Sequence, residues 1–174
     1  VHSVFKHRSF DEVYHFAAIS SNVICEDKPQ QAYLVNSIGT KFIVDAILMH
    51  CPQARLIFPS TAYVYDWEMY NQQVQQYNSY AGIPESFSLN PQTTYAKTKL
   101  LGEDIIIKAN ERNGLKSIIL RLFNHSHKTQ DKSFFLPSIF HQLQSESNIL
   151  SVGAIDLSRD FSSIQSLIQI FIKL

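Results

Sequence analysis

The sequence predicts an α/β fold built on a doubly wound parallel β-sheet. Three short apolar segments have the character of buried strands, and segments with the spacing of amphipathic helices lie between them. Strands that alternate with helices through short junctions pair in parallel, because each crossover returns the chain to the same edge of the sheet. The chain has 174 residues, of which 45% are hydrophobic, and this is enough for one buried core.

The first half of the chain supplies two of these strands and the helix between them. Residues 11–18 are apolar and aromatic, and residues 55–61 repeat that character. Helical spacing begins at Pro29 and ends near Cys51 and Pro52. This spacing places four apolar residues on one helix face, namely Val35, Ile38, Phe42 and Ala46.

The second half begins with a segment that has no clear period. Residues 66–92 are polar and rich in Gln, Asn and Tyr, which predicts a long loop. Residues 93–113 predict a helix that stops at Gly114, and residues 116–123 form the continuous apolar run of a strand covered on both faces. Beyond Asn124 a polar loop leads to the last predicted elements, which are a helix over 134–147, a strand and turn over 150–161, and a final helix over 163–172.

Composition and charge exclude several classes of partner. The formal net charge is +0, the isoelectric point is near 7.2, and residues 56–96 contain no Lys or Arg, so neither nucleic acid nor an anionic membrane is an expected partner. Cys25 and Cys51 form neither a CxxC pair nor a disulfide framework, which predicts buried free thiols in a cytoplasmic protein. No apolar run reaches the roughly 18 residues of a membrane span.

Candidate catalytic residues follow the predicted strands and open the predicted helix. Tyr95 and Lys99 lie one helical turn apart, although a single Tyr-x-x-x-Lys match is weak by itself. Three further candidate sites each follow a predicted strand: Ala17–Ala18, Ser60–Thr61 and Asn124. In an open parallel sheet, ligands bind at the carboxyl ends of the strands, so we expect these residues to form one site.

Six motifs together resemble a known family. In chain order they are VYHFAA, NSIGT, PSTAYVY, NPQTTYAKTKLLGE, RLFNH and RDF. Their order and spacing resemble the extended short-chain dehydrogenases/reductases that act on nucleotide sugars, the NAD-dependent epimerases and dehydratases. The last two motifs look most like the branch of the GDP-mannose 4,6-dehydratases and the GDP-4-keto-6-deoxymannose reductases. The resemblance implies part of a Rossmann-like dinucleotide-binding domain over residues 1–124 and a partial substrate-binding region over residues 125–174.

The resemblance also implies roles for individual residues. Tyr95 and Lys99 would be catalytic together with Thr61, and Tyr95 and Lys99 would also bind the cofactor, which is NAD or NADP. Ala17 and Ala18 would let the strand end approach this cofactor closely. The residues that would hold the substrate, by resemblance a GDP-linked sugar, are Thr61, Asn124 and Arg159, the last as a clamp on the pyrophosphate.

Proton-transfer chemistry explains why these residue types belong together. A phenol with a pKa of about 10 is a poor base at neutral pH, but an ammonium one helical turn away favours the phenolate. We therefore expect Lys99 to lower the pKa of Tyr95, which would exchange a proton with a sugar hydroxyl while the nicotinamide exchanges a hydride with the same carbon. The hydroxyl of Thr61 can donate and accept at once, so it can bridge the substrate and the phenol.

Several candidate residues also have simpler explanations. Arg159 can form a surface ion pair with Asp160, and His15 on an apolar strand is typical of a core histidine. His125 and His127 resemble half of a zinc site, but no third ligand has a suitable spacing, so no metal is expected.

Two departures from the family pattern bear on the function. No Gly-rich G-x-x-G-x-x-G turn occurs among the five Gly, so we expect a fragment that lacks the N-terminal unit for the ADP half of the cofactor and also the C-terminal part. Dehydratases of the family carry a Glu two residues after the catalytic Thr, where this sequence has Tyr63. The missing acid favours reductase or 4-epimerase chemistry at C4 of the sugar, because neither reaction needs it.

Two alternatives stay open at this point. A 4,6-dehydratase, which is a lyase, would take its acid from elsewhere, with Glu68 or Glu85 as candidates. A truncated, non-catalytic relative would bind a dinucleotide or a protein, and Ser166, at a position where the family usually has Asp, is compatible with that reading. By resemblance, family members often form homodimers through the helix that carries Tyr95 and its neighbour.

Overall fold

The computed structural model of the chain consists of two compact units. The residues that it describes fall in four ranges: 1–77, 82–145, 149–153 and 159–174. The first unit is Val1–Leu122 and the second is Phe123–Leu174. Each unit contains its own parallel sheet. The roles assigned above to residues 1–124 and 125–174 stay predictions.

The first unit alternates strands and helices in the predicted order. Its elements are α1 (His2–Lys6), β1 (Glu12–Tyr14), α2 (Asn22–Asp27), α3 (Pro29–Ala32), a π-helical turn (Tyr33–Ile38), α4 (Gly39–His50), β2 (Arg55–Thr61), a 3-10 turn (Ala62–Val64), α5 (Trp67–Tyr77), α6 (Thr94–Asn113) and β3 (Lys116–Leu122). The strands lie in the order β1-β2-β3 and pair in parallel, with Tyr14 opposite Ile57 and Thr61 opposite Leu122. The predicted Rossmann-like α/β fold with a parallel sheet is confirmed.

The apolar core of this unit joins the sheet to α4 and α6. Leu56 and Phe58 of the central strand are completely buried, as is Ile47 of α4. Burying each such side chain contributes about 1.5–3 kcal/mol to the free energy of folding. This packing fixes the position of β2 relative to the two helices. Cys25 and Cys51 are free and buried, as the sequence predicts.

Helix α6 begins and ends where the sequence predicts. The side chain of Thr93 accepts a hydrogen bond from Ala96 N at 3.2 Å and so caps the first turn. Gly114 has a φ of +69°, a left-handed conformation that glycine adopts without strain, and its N–H donates to Asn110 O at 2.9 Å. Both ends of the helix therefore have satisfied backbone groups.

The helical segment 29–50 is continuous, but its buried face differs from the predicted one. The N–H of Gly39 donates to Leu34 O, the i to i−5 pattern of a π-helix, which inserts one extra residue into the turn. Ile38 and Phe42 are 40% and 49% exposed, and of the four residues predicted to share a face only Ala46 is buried. The buried residues of the segment are Ala32, Asn36, Ser37, Thr40, Val44, Ala46 and Ile47.

The same segment is the one helix, among the residues described, that is long and apolar enough to cross a membrane. It has 22 residues and a mean hydropathy of 1.3. Its buried polar residues form hydrogen bonds inside the first unit, from Asn36 Nδ2 to Thr98 Oγ1 at 2.9 Å and from Ser37 Oγ to Thr98 O at 3.0 Å. Because its polar face is satisfied by α6, the segment is a core helix of this unit.

The prediction of a long loop over residues 66–92 is wrong for its first part. Helix α5 begins at Trp67, and Asp66 caps it by accepting a hydrogen bond from Met69 N at 3.0 Å. The indole of Trp67 also donates to Ala62 O at 3.0 Å. Its apolar and aromatic residues repeat at helical spacing, at Trp67, Tyr70, Val74 and Tyr77, and the Asp at its cap and Glu68 in its first turn are start signals, so the sequence contains the evidence for this helix.

The second unit is a small parallel pair of strands with two helices. Its elements are β4 (Asn124–Ser126), α7 (Phe135–Leu143), β5 (Phe161–Ser163) and α8 (Ile164–Lys173). Asn124 lies opposite Phe161 in the strand pair. Parts of the predicted helix over 134–147 and of the predicted strand and turn over 150–161 lie outside the described residues. Ser163 caps α8 by accepting a hydrogen bond from Ser166 N at 3.0 Å.

Candidate active site

The predicted catalytic residues of the first unit lie around the carboxyl end of β2. Thr61 is the last residue of this strand and is 5% exposed. Tyr95 is the second residue of α6, a helix that packs against both β2 and the 3-10 turn that follows it. Ala17 and Ala18 follow β1, and the first is exposed while the second is half-buried. The parallel register places the ends of both strands at one edge of the sheet.

The phenol of Tyr95 interacts with Thr61 in a half-buried position. The pKa of Tyr95 is raised to about 12, mainly by burial and then by Cys25 and Tyr63, while a hydrogen-bonding interaction with the Thr61 side chain acts in the opposite direction. The expectation that Lys99 lowers this pKa is wrong, because Lys99 is not among the groups that shift it and the loss of hydration disfavours the phenolate. The phenol therefore holds its proton at neutral pH.

The ammonium of Lys99 is buried against an aromatic ring. The residue is 3% exposed, and Nζ lies 3.9 Å from the centroid of the Phe58 ring. Within the described ranges of the chain, Nζ forms no hydrogen bond or ion pair with a protein group. Burial lowers the pKa of Lys99 to about 8, and the negative charge of Glu103 raises it. A buried cation without a protein acceptor is suited to a ligand that brings hydroxyl oxygens.

We expect Lys99→Met to stabilise the folded chain at neutral pH. A fall in pKa from 10.5 to about 8 on folding corresponds to a cost of about 3 kcal/mol for burying the charge. This cost is fully present below about pH 8 and disappears as the pH rises towards 10.5, because the folded chain then binds fewer protons than the unfolded chain. Urea unfolding at about pH 7 and about pH 10 should show the stabilisation at the lower pH and a smaller difference at the higher.

The matched control for this prediction is Lys108→Met, on the same helix. The Lys108 side chain is 58% exposed and pairs with Asp104, so its removal should change stability little at either pH. An equal stability of Lys99→Met and the unaltered chain at pH 7 would show that the ammonium carries no burial cost.

Asn36 joins the segment after β1 to the helix that carries the catalytic candidates. Its Oδ1 accepts from Ile19 N at 2.8 Å, and its Nδ2 donates to Ile19 O at 3.0 Å and to Thr98 Oγ1 at 2.9 Å. Thr98 Oγ1 in turn donates to Tyr95 O at 2.7 Å. The oxygen and both hydrogens of the Asn36 amide are thus hydrogen-bonded. These bonds fix the position of the Ala17–Ile19 segment relative to the first turn of α6.

His15 is a buried, neutral histidine whose tautomer follows from its partner. Thr40 Oγ1 donates its proton to Asn36 O at 2.6 Å, so it accepts from His15 Nε2 at 3.0 Å. Burial, followed by the charge of Lys99, lowers the pKa of His15 to about 4. His15 is therefore the satisfied core histidine that the sequence predicts.

A buried ion pair lies one turn further along α6. Glu103 is 1% exposed, and Arg121 of β3 donates to its carboxylate from Nη2 at 2.8 Å and from Nε at 3.1 and 3.2 Å. Ser60 Oγ also donates to Glu103. The third nitrogen of the guanidinium, Nη1, donates to Glu85 O at 2.8 Å, in the segment between β2 and α6. The guanidinium carbon Cζ lies 4.9 Å from the centroid of the Tyr65 ring. This network links the ends of β2 and β3 to α6.

A carboxylate from α2 holds the first turn of α6. Glu26 Oε1 accepts from Thr94 N at 2.7 Å, and Oε2 accepts from Thr94 Oγ1 at 2.8 Å. These bonds lower the pKa of Glu26. The preceding residue, Cys25, is fully buried and donates its thiol proton to Ile19 O at 3.4 Å. Helix α2 therefore packs beside the start of α6 and contributes to the surroundings of Tyr95.

The position of the missing dehydratase acid is occupied by an aromatic side chain. Tyr63 is 38% exposed, and its backbone N–H donates to Thr61 Oγ1 at 3.3 Å. The two alternative acids, Glu68 in the first turn of α5 and Glu85 in the segment before α6, are both exposed. Neither carboxylate lies in the buried, apolar surroundings that are typical of a general acid.

The two predicted substrate-binding residues of the second unit have local contacts. Asn124 Nδ2 donates to Asp160 O at 3.0 Å. The guanidinium of Arg159 lies 5.9 Å from the ring centroid of Phe135 and pairs with no carboxylate in the part of the chain that the structure describes. The simpler explanation of an ion pair with Asp160 is therefore not seen.

Sequence reasoning assigned no role to Asn36, Glu103 and Arg121, and it named Ser60 only as part of a candidate site, although all four residues shape the site. Asn36 belongs to the NSIGT motif, Ser60 and Glu103 to PSTAYVY and NPQTTYAKTKLLGE, and Arg121 to RLFNH. Each is a polar residue inside an otherwise buried element, and that is the signal which could have identified them, because such groups need partners.

Comparison with known proteins gives consistent matches over the whole chain. Residues 1–174 match the family model described as NAD dependent epimerase/dehydratase family. GDP-6-deoxy-D-mannose reductase of Pseudomonas aeruginosa is 26% identical over 171 residues, which cover 94% of this chain and 53% of that protein. UDP-glucose 4-epimerase of Halalkalibacterium halodurans is 33% identical over 122 residues, which cover 70% of this chain and 33% of that protein.

A solved structure shares the fold as well. The structure of RMD from Pseudomonas aeruginosa, complexed with NADPH, has a TM-score of 0.79 to this chain at 26% identity. The match covers 94% of this chain and 55% of that one. The chain thus spans between a third and just over half of the length of these relatives.

Proposed function

Because the chain belongs to the NAD dependent epimerase/dehydratase family, we propose that Tyr95, Lys99 and Thr61 form an oxidoreductase site for C4 of a nucleotide sugar. The observation that supports this proposal is the interaction of the Tyr95 phenol with the Thr61 side chain at the carboxyl end of β2, since open parallel sheets bind ligands at that end of their strands. The reaction that fits best is the reduction of a 4-keto sugar or a 4-epimerisation.

The cofactor in this proposal is NAD or NADP, which supplies or removes the hydride. The Lys99 ammonium, buried and without a protein acceptor in the described ranges, fits the hydroxyls of the nicotinamide ribose. The small side chains of Ala17 and Ala18 leave room beside the end of β1. The 174 residues contain no Gly-rich turn for the ADP half of the dinucleotide, so only the nicotinamide end has matching residues here.

In the reductive direction, Tyr95 acts as the proton donor. With a pKa of about 12 the phenol is protonated at neutral pH, and it gives its proton to the C4 carbonyl oxygen as a hydride reaches C4. Thr61 Oγ1 accepts a hydrogen bond from Tyr63 N, and its hydroxyl proton, which interacts with the Tyr95 phenol in the absence of substrate, would donate to the same oxygen once the sugar is bound. The C=O bond becomes C–OH, and the phenolate recovers a proton from solvent.

The substrate in this proposal is a GDP-linked sugar. The support is the resemblance of the RLFNH and RDF motifs together with the match to a GDP-6-deoxy-D-mannose reductase. Arg159 would bind the pyrophosphate, because a guanidinium without a carboxylate partner in the described residues suits a phosphate group, and Asn124 would contact the sugar nucleotide. The homodimer and the cytoplasmic location stay predictions.

Incubation with defined substrates tests the function. We expect the protein to oxidise NADPH or NADH in the presence of a GDP-linked 4-keto-6-deoxy sugar, or to interconvert C4 epimers, with NMR identifying the product. A 4-keto-6-deoxy product from GDP-mannose and NADP would instead establish the dehydratase, which is the alternative within the family. Binding of the dinucleotide without turnover of any of these sugars would favour the non-catalytic alternative.

A further inference from the structure

The ring of Phe58 lies between the catalytic candidate Lys99 and the glycine one turn after it. Phe58 is completely buried in β2, and the Lys99 Nζ lies 3.9 Å from the centroid of its ring. A Cβ atom added to Gly102 would lie 2.7 Å from Phe58 Cζ, closer than real Cβ contacts. His15 packs against the same ring at a centroid distance of 5.8 Å.

Electrostatics explains why the ammonium lies on this ring. The face of an aromatic ring carries negative potential, and it attracts a cation most strongly when water is excluded. The other negative group near Lys99 is Glu103, but Arg121 and Ser60 already bind its carboxylate. Nζ forms no hydrogen bond with the described residues, so the ring face at 3.9 Å is the direct contact that stabilises its charge.

Gly102 explains how the ring fits beside the helix. Glycine inside a helix costs about 1 kcal/mol relative to alanine. Here the missing side chain leaves the space that the edge of the Phe58 ring occupies, and alanine would have to displace a completely buried ring. The glycine is therefore a packing requirement of the aromatic residue.

We propose that Phe58 is a positioning residue, whose ring face holds the Lys99 ammonium in place beside the end of β2 while Gly102 makes room for the ring. The consequence for catalysis rests on the proposed function, since it is Lys99 that would bind the nicotinamide ribose. The contact itself does not depend on that function. Phe58 acts through Lys99 and touches no ligand.

The proton affinity of Lys99 reports this contact. An apolar side chain of similar size would leave the ammonium buried without the attraction of the ring, so the pKa of Lys99 would fall further below about 8. The titratable groups that interact with Lys99 are His15, which directly follows β1, and Glu103 on its own helix, with Arg121 of β3 bound to Glu103. These groups keep their positions when fluorine replaces ring hydrogens, whereas Phe58→Leu also removes the ring that packs against His15.

The test is an NMR titration of the lysine side chains in the full chain, with Lys99→Met to assign the signal. Phenylalanine at position 58 is replaced by its mono-, di- and trifluorinated forms, which keep the shape of the ring and weaken the negative potential of its face. We expect the pKa of Lys99 to fall with each fluorine, and to be lower in Phe58→Leu by roughly one pH unit. A pKa that stays constant over the fluorinated series would overturn the proposal.

Two further variants separate the contact from packing in general. Phe5→Leu makes the same change at another buried phenylalanine of this core, so it should lower the Tm and leave the pKa of Lys99 unchanged. Gly102→Ala should lower both, because the new Cβ displaces the ring. An equal effect of Phe5→Leu and Phe58→Leu on this pKa would also overturn the proposal.

The titration needs no substrate, so it separates this inference from the proposed function. If the pKa of Lys99 follows the ring but no nucleotide sugar reacts, the positioning contact stands and the proposed function fails. If the protein turns over substrate while the pKa of Lys99 does not depend on the ring at position 58, only the proposed role of Phe58 fails.

Discussion

The Tyr95→Phe variant is expected to lose turnover by about 10²–10⁴-fold, the usual contribution of a positioned proton donor. The substitution keeps the aromatic ring in its half-buried position and removes only the hydroxyl that would transfer the proton to C4. Lys99 and the end of β1 remain, so binding of the dinucleotide should change little. Steady-state kcat with saturating sugar, together with dinucleotide binding by calorimetry, measures the two effects separately.

The control for this variant is Tyr14→Phe, which removes a phenol of the same sheet outside the site. Tyr14 is exposed and donates to Glu12 Oε2 at 2.8 Å, so its loss should leave kcat unchanged. Unaltered turnover in Tyr95→Phe would contradict the assignment of the proton donor. A loss of dinucleotide binding equal to the loss of turnover would show a structural role for the phenol instead.

The Glu103→Ala variant is expected to lose about 3–5 kcal/mol of stability, the usual cost of breaking a buried ion pair from one side. It would leave the Arg121 guanidinium partly buried without its carboxylate, and Ser60 Oγ without its acceptor. The pairing residues lie on three different elements, so the loss should also loosen the contact between α6 and the end of β2. Urea unfolding monitored by the fluorescence of Trp67 would measure the change.

A second substitution distinguishes an uncompensated charge from a lost contact. In the double variant Glu103→Leu with Arg121→Met, both charges are replaced by apolar groups, and we expect most of the stability to return. Asp104→Ala provides the surface comparison, because the neighbouring acid on α6 is 53% exposed in its pair with Lys108 and should cost at most about 1 kcal/mol. Equal losses for Glu103→Ala and Asp104→Ala would contradict the buried pair.

Local sequence was sufficient for the strands and for α6. Continuous apolar runs identify β2 and β3, and the ends of α6 are marked by Thr93 and Gly114, whose roles depend only on neighbouring residues. Helix α5 was missed because its composition is mainly polar, although Trp67, Tyr70 and Val74 repeat at helical spacing along one face. The π-helical turn was missed because its extra residue changes the helical period from within, which no fixed spacing detects.

The hydrogen-bond partners of the site residues could not be predicted from local sequence. The spacing of Tyr95 and Lys99 follows from the helix itself, whereas the bond from Asn36 to Thr98 joins residues 62 positions apart, and the one from Ser60 to Glu103 joins residues 43 apart. The raised pKa of Tyr95 was missed for a related reason. It depends on how deeply the phenol is buried, and burial is a property of the assembled fold.

The carboxylate of Glu26 at the start of α6 limits where a ligand can place its negative charges. The amino end of a helix ordinarily attracts phosphate, through its free backbone N–H groups and the positive end of its dipole. Here the N–H of Thr94 is already committed to Glu26, which brings a negative charge of its own. A phosphate group would therefore be repelled at this helix, and in the proposed reaction the diphosphate of the substrate would need cations on other elements.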